Sequence, residues 1–285
     1  MKQIKLNEIE FKYGEKKVLK GLDLTCVSGD AIAIVGDNGV GKSTLLYIIA
    51  GFYPKYTGKI EKTGIDDIFG IIEQPCFWNN LTGYENLEYY LGKGDYNEEI
   101  AKWGMSEDIH KPVKKYSLGM KQKLALILTF CANPDIYVLD EPTNALDQSA
   151  IDTFNKSITE AKAKGKIIIM ATHLLNELTI CDKVFLMSDG KLELDLKEKV
   201  NKYSLVYAFE FVDEDGVNNM KSNLNVSDIL EVSGNRMLVA MDDKNPPEIL
   251  KLASQYGLLS ASPIECDLKK VYSEVNGRES WKENL

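Results

Sequence analysis

The fold of this chain is decided by the stretch AIAIVGDNGVGKST, residues 31–44. The apolar run Ala31–Val35 predicts a buried strand, because parallel strands covered on both faces read as continuous hydrophobic segments. Residues 36–44 match the pattern GxxxxGK[ST], and helical periodicity follows over Lys42–Ala50. A glycine-rich turn between a buried strand and a helix is the context in which this pattern binds phosphate.

The residue types in this loop suit a nucleotide. Glycines let successive backbone N–H groups curl round one anion, and the helix N-terminus adds a favourable dipole. Lys42 is placed to reach the β- and γ-phosphates, and the Ser43 hydroxyl is an oxygen ligand of the kind that Mg²⁺ prefers. The loop residues that we expect to bind nucleotide are Gly36, Asn38, Gly39, Gly41, Lys42, Ser43 and Thr44.

A second apolar strand, Ile136–Leu139, ends in the two carboxylates Asp140 and Glu141. The carboxyl ends of parallel strands meet at the ligand crevice of such a sheet. We therefore expect Asp140 at a Mg²⁺ ion and Glu141 beside the attacking water, as general base. The phosphate loop and this strand end are two parts of one phosphoryl-transfer site.

Composition narrows the class of protein. The 285 residues are 44% hydrophobic and 27% charged, as in ordinary globular proteins, and the net charge of -9 disfavours nucleic acid as a partner. None of the five cysteines forms a CxxC pair, so we expect reduced thiols rather than a zinc site. We expect neither a signal peptide nor a membrane span, since no stretch approaches the ~18 apolar residues that a span needs.

Strands alternate with helices over residues 1–200, which predicts an α/β domain with a parallel sheet. Two short strands are predicted at Val18–Leu19 and Leu22–Leu24. The charged stretch Leu192–Val200 is interpreted as a connector. Residues 201–285 are predicted to form a small second α+β unit.

The segment YSLGMKQ, Tyr116–Gln122, lies shortly before the acidic strand. Here the chain resembles the ATP-binding-cassette (ABC) family, whose LSGGQ signature occupies this place. The core departs from that pattern at two inner positions, but it retains the helix-capping Ser117 and the second glycine, Gly119.

Other segments extend the resemblance in the family's order. Gln74 falls at the place of the Q-loop, which implies a catalytic and metal-binding role. Asp147 matches the D-loop near the nucleotide, and His173 matches the catalytic switch histidine. Tyr13 resembles the aromatic residue that stacks on adenine.

The resemblance covers residues 2 to about 195. It implies a P-loop NTPase fold with a parallel sheet core, an antiparallel β subdomain and a helical subdomain at about 75–133. It also implies an ATP-dependent homodimer, in which the phosphate loop of one subunit and Ser117 with Gly119 of the other enclose one ATP and its Mg²⁺. Ser117 would open a helix and so provide a second anion site.

The implied partners are separate transmembrane permease subunits, so the chain would be cytoplasmic and peripheral on the inner face of the plasma membrane. In the family, the helical insert receives a helix of the membrane subunit. Aromatic side chains suit such a surface, although each also suits the core of the insert. Those of this chain are Phe77, Trp78, Tyr84, Tyr89, Tyr90 and Trp103. The signature wording resembles that of exporters of the bacitracin- and lantibiotic-resistance type, and the cargo of this chain stays open among antimicrobial peptide, drug and lipid.

Other functions share part of this pattern. A soluble ABC ATPase of translation or DNA repair is the alternative, but such proteins usually carry two cassettes or a long coiled coil. A GTPase would need N/T-K-x-D, and neither Asn155–Ile158 nor Asn201–Ser204 supplies the aspartate. Glu141 disfavours an adaptor that binds nucleotide without hydrolysis. Residues 201–285 either cap the ATPase core or stabilise and regulate a dimer, and the sequence leaves both readings open.

Overall fold

A computed structural model describes residues 2–73, 76–172, 175–195, 205–224, 229–241 and 246–264. The chain divides into two compact units, Met1–Asp195 and Leu196–Leu285.

The elements of the first unit follow one another in the order that the sequence pattern indicates. Its strands are β1 (Gln3–Tyr13), β2 (Lys16–Val27), β3 (Ala31–Val35), β4 (Thr57–Thr63), β5 (Ile68–Ile71), β6 (Ile136–Asp140), β7 (Ile167–Ala171), β8 (Lys183–Ser188) and β9 (Lys191–Asp195). Its helices are α1 (Lys42–Ile49), α2 (Gly83–Leu91), α3 (Asn97–Lys102), α4 (Leu118–Ala132), α5 (Gln148–Ala163) and α6 (Leu175–Ile180).

The central sheet has six strands in the order β5-β6-β7-β3-β8-β9. All neighbours are parallel except β8 and β9, which confirms the predicted α/β fold with a parallel sheet. The prediction of a connector at Leu192–Val200 is wrong over its first residues, because Lys191–Asp195 pairs with β8. Asp189 and Gly190, both with positive φ, form a tight turn that brings the chain straight back along β8.

A second sheet, in the order β2-β1-β4, is antiparallel. The predicted short strands at Val18–Leu19 and Leu22–Leu24 are wrong as separate elements, since both belong to the continuous strand β2. Gly21, with φ 77°, lies at a register shift in the pairing of β1 with β2. A bulge of this kind bends a strand without ending it, so the pattern of apolar residues breaks although the strand continues.

One hydrophobic core contains apolar side chains from both sheets and from α1. Leu45, Leu46, Ile48 and Ile49 of α1 are at most 2% exposed. Burial of each such side chain contributes roughly 1.5–3 kcal/mol. Because α1 packs on β6 and β7, this burial fixes the start of α1, and with it Lys42, beside the ends of those strands.

The segment between β5 and β6 is mainly helical, as predicted. α2 begins with a capping box, in which Thr82 accepts from the Glu85 backbone and Glu85 accepts from the Thr82 backbone. α4 begins at the predicted cap, since Ser117 Oγ accepts a hydrogen bond from Met120 N at 3.2 Å. Trp103 is only 2% exposed and stacks on Phe130, so it belongs to the core and not to a surface.

The second unit has its own sheet and core. Its elements are β10 (Leu205–Phe211), α7 (Glu214–Ser222), β11 (Ile229–Ser233), β12 (Arg236–Met241), α8 (Pro246–Ser254) and β13 (Leu258–Ile264). The antiparallel strand order β11-β12-β10-β13 is that of β-α-β-β-α-β, ferredoxin-like units. Its core is formed by Phe209, Phe211, Val217, Met220, Met237, Val239 and Ala253.

Candidate active site

A cleft of about 610 Å³ lies where the loop after β3 faces the end of β6. It is lined by Tyr13, Lys16, Val18, Asn38, Gly39, Gly41, Lys42, Ser43, Thr44, Glu73, Leu118, Gln122, Asp140, Glu141 and Asn144. The structure therefore brings together Tyr13, most of the predicted phosphate loop and both predicted carboxylates. Four predicted site residues, Gly36, Ser117, Gly119 and Asp147, are not part of this lining.

The first glycine of the phosphate loop has a steric reason to be there. Gly36 has φ 153°, and a Cβ at this position would lie 2.3 Å from the Met187 carbonyl oxygen. No side chain fits at that distance, so the loop can leave β3 in this direction only with glycine.

The start of α1 leaves its amides available to a ligand. Its N-cap, Gly41, has φ 117° and provides no side-chain cap. The first N–H groups of a helix lack partners within the helix, and a phosphate satisfies them well. The phosphate loop thus presents backbone donors at the floor of the cleft.

Lys42 is held inside the loop by the loop itself. Its Nζ donates to the carbonyl oxygens of Gly36 at 2.7 Å and Asp37 at 3.0 Å. Burial lowers the pKa of Lys42, and the charges of Glu141 and Asp140 act in the opposite direction. A buried cation held by carbonyl oxygens can exchange these contacts for the oxygens of an anion that enters the cleft.

Asp140 carries an oxygen pair suited to a hard cation. Burial raises the pKa of Asp140, a hydrogen bond with Ser43 lowers it, and the charge of Glu141 raises it further. Among the described residues, no group of three His, Cys, Asp or Glu side chains could hold a metal ion. The oxygens of Asp140 and Ser43 still suit Mg²⁺, because this ion binds one or two protein oxygens and completes its shell with phosphate and water.

Glu141 is held in a strained conformation at the end of β6. Its φ is 45°, in the left-handed region, which costs a non-glycine residue about 1–3 kcal/mol. Its backbone N–H donates to the Ala171 carbonyl of β7 at 2.9 Å. The Asn144 side-chain amide donates to the Glu141 carboxylate. These contacts hold the carboxylate at the edge of the cleft.

Tyr13 lies at the open end of the cleft. It is 48% exposed, and its hydroxyl is 3.5 Å from Thr44 Oγ1 of the phosphate loop. Its ring meets Phe11 and Tyr53 edge-on, with centroids 4.9 Å and 6.0 Å apart. The ring is thus supported from behind and offers exposed aromatic surface to a planar ligand.

Two residues of the signature segment, Leu118 and Gln122, line the cleft, while the start of the segment is exposed to solvent. Ser117 is exposed, and the following Leu118 is 57% exposed. Gly119 lies against the next loop, because a Cβ there would be 2.7 Å from the Ala145 carbonyl oxygen. Gln122 is buried and donates to the Pro142 carbonyl at 2.7 Å. The start of α4 is therefore fixed to the loop that follows β6.

Asp147 holds two elements together. One of its oxygens caps α5 by accepting from Ala150 N at 2.9 Å, and the other pairs with Lys123 of α4 at 2.8 Å. The hydrogen bond from Lys123 is the main cause that lowers the pKa of Asp147. In this structure Asp147 stabilises the loop between β6 and α5 and does not line the cleft.

Gln74 and His173 lie outside the described residues, so their predicted roles stay predictions. The cleft also contains residues that the sequence reading missed, among them Lys16, Glu73 and Asn144. Glu73 has φ 64°, and a hydrogen bond with Glu73 helps burial raise the pKa of Tyr47 to about 12. Its position two residues after β5 was the sequence signal that could have placed Glu73 in the cleft. β5 pairs in register with β6, so the residues that follow the two strands lie close together.

Comparison with known proteins agrees with this geometry. Residues 19–144 match the ABC transporter family. The chain is 30% identical over 205 residues to the lantibiotic transport ATP-binding protein SrtF of Streptococcus pyogenes, covering 67% of this chain and 90% of that one. It is 31% identical over 223 residues to the bacitracin transport ATP-binding protein BcrA of Bacillus licheniformis, covering 70% and 73%.

A solved structure of the ATP-binding subunit of an ABC transporter shares the fold. The TM-score is 0.64 at 24% identity, over 70% of this chain and 93% of that one. A parallel sheet with a phosphate loop and an acidic strand end defines a P-loop nucleotide hydrolase.

The chain belongs to the ABC transporter family, among its ATP-binding proteins. It is a transport ATPase, which confirms the class of function predicted from the motifs. Its family binds nucleotide, and ATP-binding subunits of ABC transporters act with membrane permeases. Within the ranges that the structure describes, no helix is both long and apolar enough to cross a bilayer.

Proposed function

We propose that two copies of this chain bind two ATP molecules head to tail and hydrolyse them to drive export through separate membrane subunits. One observation carries the proposal: a phosphate cradle and a signature helix whose first residues, Ser117 and Leu118, are exposed lie in the same chain. The cradle needs a second anion-binding surface to enclose a triphosphate, and the signature helix of another copy provides one.

Within the cradle, each side chain has a separate task. Lys42 exchanges its two carbonyl contacts for the β- and γ-phosphate oxygens. Ser43 and Asp140 would hold Mg²⁺, whose charge would offset that of the phosphates. Glu141 accepts a proton from the attacking water, and Asn144 orients its carboxylate. Gly36, Asn38, Gly39, Gly41 and Thr44 complete the phosphate-binding loop.

The nucleotide base and the γ-phosphate involve further predicted residues. Tyr13 stacks on adenine, because its exposed ring stands beside the loop that binds the phosphates. We retain Gln74 as a metal and water contact and His173 as a catalytic residue, on their family positions alone. Glu73 lines the cleft, so we add it as a carboxylate that sets the charge around Asp140.

The second half of the site comes from the other copy. Ser117 Oγ already accepts from Met120 N, and a hydroxyl still has its own proton to donate. We propose that Ser117 donates it to the γ-phosphate held by the partner copy, while Gly119 allows close approach. Asp147 stabilises the loop at this interface by capping α5. ATP then holds the two copies together, and hydrolysis releases them.

Three aromatic side chains suit the membrane partner. Trp78, Tyr89 and Tyr90 are 54%, 60% and 43% exposed, and Tyr89 meets both of the others edge-on. Exposed aromatic clusters of this kind are typical of docking surfaces. We propose that a helix of the permease packs here, which would place the chain on the cytoplasmic face of the plasma membrane. The net charge of -9 supports a function without nucleic acid.

The class of cargo rests on the relatives, and the direction rests on the resemblance of the signature wording to that of exporters. The names of SrtF and BcrA refer to transport of a lantibiotic and of bacitracin, and both proteins are about 30% identical to this chain. We therefore propose export of an antimicrobial peptide, a drug or a lipid.

Glu141→Gln tests the proposed mechanism directly. The amide keeps the size of the side chain but cannot accept the proton, so steady-state ATP hydrolysis should fall by about 100-fold or more, while ATP affinity stays within about twofold. The same variant should form dimers with ATP in size-exclusion chromatography and return to monomers without it. Glu107→Gln, a change at an exposed position outside the cleft, is the matched control. Unchanged turnover in Glu141→Gln would refute the base assignment.

A further inference from the structure

A buried glutamate outside the predicted motifs contacts the loop that carries Glu141. Glu177 lies in the first turn of α6 and is 1% exposed. Its Oε1 accepts a hydrogen bond from the Thr143 backbone N–H at 3.2 Å and another from the Thr143 hydroxyl. Thr143 is itself 3% exposed and lies two residues beyond Glu141.

Packing alone does not explain this contact. Removing a carboxylate from water costs several kcal/mol, and an apolar side chain of similar volume would fill the space at lower cost. The carboxylate supplies two aligned hydrogen bonds to one residue, which fix both the backbone and the side chain of Thr143. Buried polar contacts of this kind specify one conformation of the segment that they hold.

The segment that Glu177 holds is strained and needs support. Glu141 has φ 45° and Ala145 has φ 64°, both in the left-handed region. Such conformations persist only where surrounding contacts determine them. Gln122 holds the loop from α4 through the Pro142 carbonyl, and Glu177 holds it from α6 on the next residue.

We propose that Glu177 is a positioning residue for hydrolysis, which keeps the Glu141 carboxylate in place by fixing Thr143. The proposal rests on the proposed role of Glu141 as general base. Because α6 begins shortly after β7, Glu177 also connects the segment that follows β7 to the loop that follows β6. This contact would keep the residues that follow β6 and β7 in a fixed position relative to one another at the cleft.

Glu177→Ala should lower kcat by about tenfold to a hundredfold, because small misplacements of a catalytic group cost that much. ATP affinity should stay within about twofold, since Lys42 and the phosphate loop are untouched. Glu177→Gln keeps an oxygen acceptor in the same place and should recover most of kcat. Glu98→Ala, at an exposed position on α3, is the control for loss of a helical glutamate.

Thr143→Val removes the hydroxyl while keeping the side-chain shape, and it should lower kcat several-fold. The double variant with Glu177→Ala should be no slower than Glu177→Ala alone, because both changes break one contact. If Glu177→Ala does not fold, the kcat of Thr143→Val alone still tests whether the contact between these two residues positions Glu141. Wild-type kcat in Thr143→Val, or equal losses in Glu177→Gln and Glu177→Ala, would overturn the proposal.

A general structural role gives a different result. In the Glu141→Gln background, adding Glu177→Ala should leave ATP-dependent dimerisation intact, because the positioned group is already absent. Loss of dimerisation, or a parallel loss of ATP affinity and kcat, would overturn the positioning role. If Glu141→Gln itself keeps wild-type turnover, the proposed function fails instead, whatever Glu177→Ala does.

Discussion

The phosphate loop and the signature segment are both starts of helices, but they are built differently. α1 begins at Gly41 without a side-chain cap, and its loop faces the cleft of its own chain. α4 is capped by Ser117, which lies exposed and does not line that cleft, although Leu118 and Gln122 of the same segment do. Both ends can bind an anion, yet only the first has an enclosed place for one.

This difference indicates that one half of the site works within the chain and the other between chains. The start of α1 is fixed by burial of its apolar side chains, so the cradle exists before ATP binds. The start of α4 is fixed to the loop that follows β6, through Gly119 and Gln122. Ser117 itself is exposed, as expected of a surface that a second copy completes.

The largest effect is expected in the cradle. Lys42→Ala should weaken ATP binding about 100-fold, since a hydrogen bond to a charged group contributes up to about 3 kcal/mol. Isothermal titration calorimetry of the single chain measures this, with Lys93→Ala as a control at an exposed lysine. Equal affinity in Lys42→Ala would remove the cradle from the proposed mechanism.

A change at the signature should have the opposite profile. Ser117→Arg should leave ATP affinity of the single chain within about twofold, but lower turnover about tenfold or more by blocking the interface with a bulky side chain. Turnover and nucleotide titration on the same preparation separate the two effects. A large loss of ATP affinity in Ser117→Arg would show that the signature acts within its own chain.

Mixing these two variants sharpens the comparison. In a head-to-tail pair of one Lys42→Ala chain and one Ser117→Arg chain, one site carries both defects and the other carries none. An equal mixture should therefore recover about a quarter of the wild-type rate, because half of the pairs are mixed and each has one intact site. Activity no higher than that of either variant alone would contradict the head-to-tail arrangement.

A smaller effect is expected on stability. Burial raises the pKa of Asp140 in the folded chain, so the stability that its protonated form gives is present at acid pH and lost as pH rises through the folded pKa. At neutral pH the charged side chain is a cost, and Asp140→Asn should raise Tm by about 2–4 °C. Thermal unfolding without nucleotide or metal at pH 7 measures this, and a lower Tm would contradict it. Turnover should be lost.

The smallest effect concerns Glu73. Its charge raises the pKa of Asp140, so Glu73→Gln should lower that pKa and move the acid limb of the pH–rate profile to lower pH. Glu107→Gln, which removes an exposed carboxylate outside the cleft, is the matched comparison. An acid limb that stays in place in Glu73→Gln would exclude an electrostatic role for this carboxylate.

Local sequence patterns predicted the strands that are marked by a continuous apolar run. The strand Ala31–Val35 has the bounds expected from its apolar run, and the strand Ile136–Asp140 extends the expected Ile136–Leu139 by one residue. The strand β9 was missed because its charged residues look like a connector, and only pairing with β8 identifies it as a strand. The break at Gly21 was mistaken for a gap between strands, since a bulge leaves no signal in periodicity alone.

The sequence by itself determined the nucleotide chemistry, because Gly36–Thr44 and the pair Asp140 and Glu141 are contiguous motifs whose geometry is local. Only the tertiary structure decided which distant side chains support them. Glu177 meets Thr143 across 34 positions of the chain, and Gln122 meets Pro142 across 20. Such contacts depend on how α4, α6 and the strand ends pack against one another. Burial of apolar surface drives this packing and is not directional, so no fixed sequence spacing predicts which distant residues will meet.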